Sequence, residues 1–523
     1  MSTLLRDAFR QPAFQSPQAV ALLQRLRPVY DSPWTIWGLL ALGAIRAVIF
    51  LIAYPPAHGA DSPDYFLYAA QFEGLEAPNV FSLIYPLYPL LIYLTHHVLG
   101  SVYVLIMFQV LLSVVQGAIF YWGVRPYSPA LAFVVALMVL GDAQTGVLYN
   151  FTSTEPLYMF SLNAAFCVFL VQVRRRPDRR ITFGDILLGV LLATTLLSRP
   201  VGRYLIAPFG VLFLLGTRSV WRTAAMGAAY GVVLVASVLF NQLVFDQLEL
   251  TGGGGFMLVR PLLVSGLLEA DNGPASARLV EMRSQCEPGE TGARCLYLQT
   301  RDWPAVRKLY ADAYQEMLTA HRLDFARLVF EDFTDYLRLP GRQYSGPVTP
   351  ADAQCEDIDA VSDRNTRAYL EKDWLLLDSP DATYDQLWPI IDDMNRAMCP
   401  PWPDHDGVRE VVDHAALRYR SLSRPRPYLW YAALAVAVLA IPWARRYVIP
   451  VMLAGAILAN HAAASAVVLN VQPRYIAVAN PYKGVLLLVL VFVVARTAAR
   501  VIDAWLAQRA RPSTASQNAG KTT

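Results

Sequence analysis

Charge is what this chain has least of. Only 16% of its 523 residues are Asp, Glu, Lys or Arg, against 55% hydrophobic, a balance too apolar for a soluble domain of ordinary composition. The basic and acidic totals, 44 and 41, nearly cancel to a formal net charge of +3. That leaves no basic face for a polyanion, and no nucleic-acid-binding motif is found, so nucleic acid is excluded as a partner. The segment Met1 to Asp31 carries Arg6, Arg10, Arg25 and Arg27 but lacks the short apolar core and small-residue cleavage site of a secretory leader. The first apolar run is therefore expected to stay as an anchor. No internal repeat points to the inverted halves of a transporter. Cysteine is scarce and unevenly placed. Cys167 sits in an apolar run, where a thiol acts as a small hydrophobe, while Cys286, Cys295, Cys355 and Cys399 share one polar insert. An even set in one loop suits two disulfides and an oxidising compartment. Three pairings are open, and nearness favours Cys286 with Cys295.

What the chain has in abundance is apolar runs. A membrane span needs about 20 mostly apolar residues. Ten runs approach that length: 33–55, 101–124, 129–148, 154–173, 183–198, 203–216, 223–245, 428–442, 448–470 and 482–499. The expected fold class is an all-α polytopic membrane protein with about ten transmembrane helices and a helical extracytoplasmic insert. Threading the spans in order puts Arg6 to Arg27, Arg125, Arg174 to Arg180, Arg218, Arg222, Arg445, Arg446 and Arg496 to Arg511 on one side. The positive-inside rule makes that side cytoplasmic. The run Leu83 to Gly100 is apolar too, but counting it as a span would invert every later loop, so it is read as an interfacial helix.

This threading sets the organisation. Residues 1–32 form a cytoplasmic segment, and 33–246 an amino-terminal membrane module with a first external loop at 56–100. An extracytoplasmic cap follows at 247–427, then membrane helices at 428–500 and a tail at 501–523, whose last residues from Pro512 to Thr523 read as disordered. In the cap, Trp303 to Leu337 reads as one helix with Asp302 as its cap and Pro304 in its first turn, and Tyr384 to Met398 as a second. The four glycines Gly252 to Gly255 follow no strand and lack a following Lys-Ser/Thr, which fits a hinge or lid entry better than a phosphate loop.

The external side receives the stretch His58-Gly-Ala-Asp61-Ser62-Pro63-Asp64-Tyr65, with two carboxylates at the start of a short helix that Ser62 can cap and Pro63 can open. Asp61 and Asp64 suit helix capping, and equally the work of a base. The turn near Thr145 to Ser153, the turn Ser198-Arg199-Pro200-Val201-Gly202-Arg203, and Gln472-Pro473-Arg474-Tyr475 fall on the same side. Arg199, Arg203 and Arg474 break the positive-inside bias, and a cation at such depth is either functional or paired. Snorkelling at a helix end is the plain reading of Arg203 and Lys483. Glu155, followed by Pro156, has the place of a first-turn acid at a helix start.

Taken in order, Asp61-Ser-Pro-Asp64-Tyr65, Tyr85-Pro-Leu-Tyr-Pro89, Ser153-Thr-Glu155-Pro156-Leu157, Leu197-Ser-Arg199-Pro200 and Pro473-Arg474-Tyr475 resemble the polytopic GT-C glycosyltransferases, with the bacterial relatives of protein O-mannosyltransferases and aminoarabinose transferases nearest. The resemblance covers 33–245 and 428–499. It implies an inverting glycosyltransferase of the bacterial inner membrane that moves a sugar from a polyprenyl-phosphate donor to an extracytoplasmic lipid, glycan or protein acceptor. Asp61 falls on the family's catalytic carboxylate, a base toward the acceptor hydroxyl, with Asp64 as the alternative. An anionic lipid-phosphate leaving group calls for a facing cation, for which Arg199, Arg203 and Arg474 are the candidates because they break the positive-inside bias, with Arg260 a weaker one. Tyr65, Glu155 and Tyr475 fall on the sugar and acceptor. No cofactor is implied. A carboxylate with His96-His97 would be the place for a divalent metal, although adjacent interfacial histidines commonly serve as polar tips. Two rival readings stand beside this one: an oligosaccharide ligase or polymerase, and a lipid-linked glycan flippase or transporter.

Overall fold

The computed structural model describes residues 17–338, apart from 55, 59–61, 73–84, 175–179, 247, 251–258, 287–294, 297–298 and 301, and then 407–408, 410–411, 448–468, 478–486 and 488. The chain is mainly helical. It opens with α1 (Pro17–Tyr30) and α2 (Trp34–Ala53), then a two-residue strand β1 (Ala57–His58), α3 (Ser62–Gln71) and α4 (Leu87–Tyr93). A π-helical turn, Leu94–Val98, extends α4. Next come α5 (Tyr103–Val124), α6 (Pro129–Gly141), α7 (Ala143–Leu148), strand β2 (Phe151–Thr152), α8 (Glu155–Arg174) and α9 (Phe183–Ser198). A 3-10 turn, Pro200–Leu205, leads into α10 (Ile206–Thr217) and α11 (Val220–Phe245). The insert supplies α12 (Val259–Val264), α13 (Pro274–Ser284), α14 (Trp303–Ala320) and α15 (Arg322–Arg338). A late helix, α16, spans Val448–Val467.

Six helices among the described residues are long and apolar enough to cross a membrane: α2, α5, α8, the unit Pro200–Thr217, α11 and α16. This makes the chain a multi-pass membrane protein. The expected spans at 129–148 and 183–198 appear as shorter apolar helices. The one at 428–442 and most of the one at 482–499 lie outside the described residues. The expected span 129–148 is broken because Asp142 adopts extended backbone after α6. Its carbonyl accepts a bond from the Arg46 guanidinium of α2 at 2.9 Å, and the chain restarts as α7. The run Leu83 to Gly100 yields only α4 and its π turn, too short to span.

Contacts sort the helix termini into two ends. At one end, Arg125 pairs with Asp31 at 3.1 Å, the Tyr121 hydroxyl donates to the Tyr30 carbonyl, and Arg174 donates to the Pro126 carbonyl. Buried here, Arg222 grips both carboxylate oxygens of Asp185 at 2.8 and 2.9 Å and donates to Gln172 at 2.9 Å. Asp185 also accepts from the Thr182 backbone N–H, closing the capping box of α9. One polar knot therefore ties the starts of α9 and α11 to the end of α8. At the other end β1 and β2 pair in parallel, with Ala57 opposite Phe151 and His58 opposite Thr152. There Asn150 donates to the carbonyls of Phe50 and Tyr54, and Gln109 to those of Tyr149 and Phe151. We call these the arginine end and the strand end.

Between the ends, small residues let helices approach closely, as membrane packing requires where no hydrophobic force drives helices together. A Cβ on Gly43 would meet the Val114 carbonyl at 2.3 Å, and one on Gly189 the Met226 carbonyl at 2.2 Å. A buried polar thread also crosses the bundle. Asn163 donates to Gln116 at 2.9 Å and accepts from the Tyr482 hydroxyl at 2.7 Å.

The insert sits on the strand end. Its Leu262, Leu279, Tyr310 and Met317 share one apolar cluster with Tyr65, Phe66, Tyr88 and Ile92 of α3 and α4. Cys286 and Cys295 form a disulfide, while Cys355 and Cys399 lie outside the described residues. Asp302 caps α14 by accepting from the Ala305 N–H at 3.1 Å, with Pro304 in the first turn, as the sequence suggests. The single helix expected over Trp303 to Leu337 is instead two, because the chain leaves helical backbone at His321, whose ring bonds Asn272 at 3.1 Å. Burial works to raise the pKa of Glu316, yet backbone N–H groups of Ser276 and Ala275 outweigh it and hold the carboxyl below its usual value. Glu316 thereby fastens the start of α13 to α14.

Removing one partner of a buried ion pair strands the other charge, at a cost of about 3–5 kcal/mol. Arg222→Met should lower the stability of the detergent-solubilised protein by that order in thermal unfolding. The double variant Arg222→Met with Asp185→Asn should recover a large part of the loss.

Candidate functional site at the strand end

Three of the residues singled out from the sequence, Tyr65, Glu155 and Arg199, lie at the strand end. Glu155 opens α8 and is 1% exposed. Arg199 ends α9 in extended backbone, just before the 3-10 turn, with a side chain 12% exposed. The two form a direct ion pair. The sequence reads Glu155 as a first-turn acid and Arg199 as a phosphate ligand, and the fold makes them each other's partner. In so apolar a setting neither charge is tolerable without compensation.

Around the pair lies a shell of hydroxyls and one imidazole. Tyr158, one turn along α8 from Glu155, bonds His461 Nε2 of α16 at 2.8 Å, and His461 Nδ1 bonds the Ile457 carbonyl at 2.8 Å. A carbonyl only accepts, so Nδ1 carries a proton; in the neutral ring Nε2 then accepts from the Tyr158 hydroxyl. Tyr336, fully buried at the end of α15, lies within electrostatic reach of both Tyr158 and Arg199. Asn460 of α16 donates to the Val201 carbonyl at 2.9 Å, fixing α16 against the turn that carries Arg199.

Tyr65 of α3 reaches the residue that precedes Glu155. Its ring meets Tyr88 edge-on at 5.1 Å, and its hydroxyl sits 3.4 Å from Thr154 Oγ1. The Tyr88 hydroxyl donates to Gln109 at 2.7 Å and is close enough to Glu155 to feel its charge. Ser62, read from the sequence as a helix cap, sends its hydroxyl to the Thr152 carbonyl at 2.5 Å, which pins α3 to β2. The buried hydroxyls of Thr152 and Ser153 make no hydrogen bond among the described residues. They leave a polar wall next to Glu155.

Arg203 is exposed and acts on the buried Tyr85. Asp61, Arg474 and Tyr475 lie outside the described residues, as do the side chains of Asp64 and Arg260, Gly252 to Gly255, and the expected helix Tyr384 to Met398. His97 stacks on Tyr93 at 5.1 Å at an exposed corner, and no group of three or more metal-binding side chains occurs among the described residues.

Sequence reasoning missed Tyr158, His461, Tyr336 and Arg46. For Arg46 the signal was present, since a charge inside an apolar run marks a site. It donates to Ser113 at 2.8 Å and to Thr145 at 3.3 Å, holding α2, α5 and α7 together beneath the strand end. The tyrosines and His461 offered no comparable signal, because aromatic residues inside apolar runs are ordinary core.

Glu155→Gln strands the Arg199 charge and should cost about 3–5 kcal/mol of stability, much of it restored by adding Arg199→Met. Tyr65→Phe, which gives up one long hydroxyl contact, should cost under about 1 kcal/mol. Thermal unfolding of the parent and these three variants measures this coupling. No protein-family model matches the chain, and no curated protein matches it.

Proposed function

We propose that the chain is an inverting glycosyltransferase of the bacterial inner membrane, moving a sugar from a polyprenyl phosphate to an acceptor hydroxyl at the strand end. The supporting observation is the Glu155–Arg199 pair, its carboxylate buried, beside the hydroxyls of Tyr158, Thr154 and Tyr65. A guanidinium held at the outer edge of an apolar bundle suits the phosphate of a lipid whose chain stays in the membrane. Hydroxyls and a carboxylate beside it suit a sugar. The disulfide of the insert supports an extracytoplasmic strand end, and the arginines at the opposite end support a cytoplasmic location there.

Asp61 is the proposed base. It is joined covalently to Ser62, whose hydroxyl is bonded to Thr152, three residues before Glu155. The acceptor hydroxyl gives its proton to the Asp61 carboxylate as its oxygen attacks the anomeric carbon. The bond from that carbon to the phosphate oxygen breaks, and its electron pair stays with the departing lipid phosphate. Arg199 faces the developing charge. Attack from the side opposite the phosphate inverts the anomeric centre.

Asp61→Asn should keep the thermal stability of the parent and lower transfer from a polyprenyl-phosphate sugar by about 100-fold or more, as loss of a general base does. Asp64→Asn serves as the control. Purified protein in nanodiscs, assayed for release of polyprenyl phosphate, gives the comparison. Near-parent turnover by Asp61→Asn removes it from this role. Movement of intact lipid-linked sugar with no phosphate released would favour a flippase.

A further inference from the structure

The sequence reads Lys483 as a snorkelling residue at a helix end, but the fold turns it inward. It follows the fully buried Tyr482, and its Nζ lies 5.9 Å from the ring centroid of Tyr336. An ammonium over a tyrosine face at this distance is held by the ring quadrupole. No carboxylate among the described residues lies within 4.0 Å of it; Asp142 acts on it from further away. Tyr336 in turn is within electrostatic reach of Arg199. The last turn of α15 thus inserts one tyrosine that neighbours two cations, Arg199 from α9 and Lys483 from the carboxyl-terminal helices. The two cations differ in one respect: Arg199 is already matched by Glu155, whereas Lys483 has no close counter-charge among the described residues.

We propose that Lys483 is a second cation of the phosphate site, positioned by Tyr336 of the insert, and that it favours a phosphate monoester over a diester. This rests on the transferase reading above. The donor is a phosphodiester with one negative charge. When its bond to the sugar breaks, the electron pair stays on the phosphate oxygen, and the product is a monoester approaching two negative charges. A cation whose attraction grows as that second charge develops stabilises the departing group more than the bound donor, which is how binding becomes rate. The insert then has a defined part in the chemistry. It supplies the ring that holds the ammonium at the phosphate instead of letting it extend to water.

The test measures binding of polyprenyl phosphate, its methyl phosphodiester, the uncharged polyprenol and inorganic phosphate to the full chain in nanodiscs, with thermal unfolding to confirm folding. Lys483→Gln should weaken the monoester about tenfold, the diester less, and polyprenol not at all, with Lys483→Arg close to the parent. Tyr336→Phe, which keeps the ring, should bind as the parent, and Tyr336→Leu should follow Lys483→Gln. Should Lys483→Gln fail to fold, Lys483→Met retains the stem and carries the same comparison. Equal loss of monoester and diester overturns the charge-selective role. Unchanged monoester binding in Lys483→Gln, with loss in Arg199→Gln, overturns the inference and leaves the transferase reading intact. Absence of polyprenyl-phosphate binding in the parent defeats both. Inorganic phosphate binding as tightly as the lipid overturns the lipid assignment.

Discussion

A buried carboxylate and a largely enclosed guanidinium, Glu155 and Arg199, impose the constraint around which this bundle is arranged. Each would be forbidden alone in an apolar interior, and together they persist only if the ends of α8 and α9 are held in register. That register is set from both ends. The Arg222, Asp185 and Gln172 knot clamps α8, α9 and α11 at the arginine end, while Asn460 holds α16 against the turn after Arg199 at the strand end. Polar bonds set the register here because apolar side chains slide past one another at little cost in lipid.

The strand end is built from chain segments far apart in sequence. The β1–β2 bridge brings the stretch leading to Asp61 beside the start of α8. Arg46, Gln109 and Asn150 then satisfy the carbonyls left open where α6 stops and the strands begin. Non-helical backbone at such depth persists only where it is buried in protein and fully bonded. An insert packed over this end through Tyr65, Tyr88 and Leu262 completes the enclosure.

How much of this was legible depended on the range of the interaction. Hydropathy is local, so α2, α5, α8 and α11 could be read from the sequence to within a few residues. So could the Asp302 cap and the nearest cysteine pair. The break at Asp142 was not, because it depends on a guanidinium from α2 reaching a carbonyl after α6. Arg199 was recognised as a cation in the wrong place, but its partner was read as a helix cap. Nothing local distinguishes an acid that faces a dipole from one that faces an arginine on the next helix. Tyr336 and His461 were hidden more deeply still, since a tyrosine of an extramembrane helix gives no sign that it will be buried in the membrane bundle.

The proposed transfer requires a lipid phosphate to meet Arg199 at the end of the bundle that carries the disulfide. The direct measurement is an electron cryomicroscopy structure of the full chain in nanodiscs containing polyprenyl phosphate. Phosphate density is expected within hydrogen-bond reach of the Arg199 guanidinium, beside Tyr158 and Tyr65, with the polyprenyl chain leaving along the lipid-facing surface. Phosphate density at the arginine end, or an Arg199 that contacts only Glu155 while the lipid sits elsewhere, would contradict it.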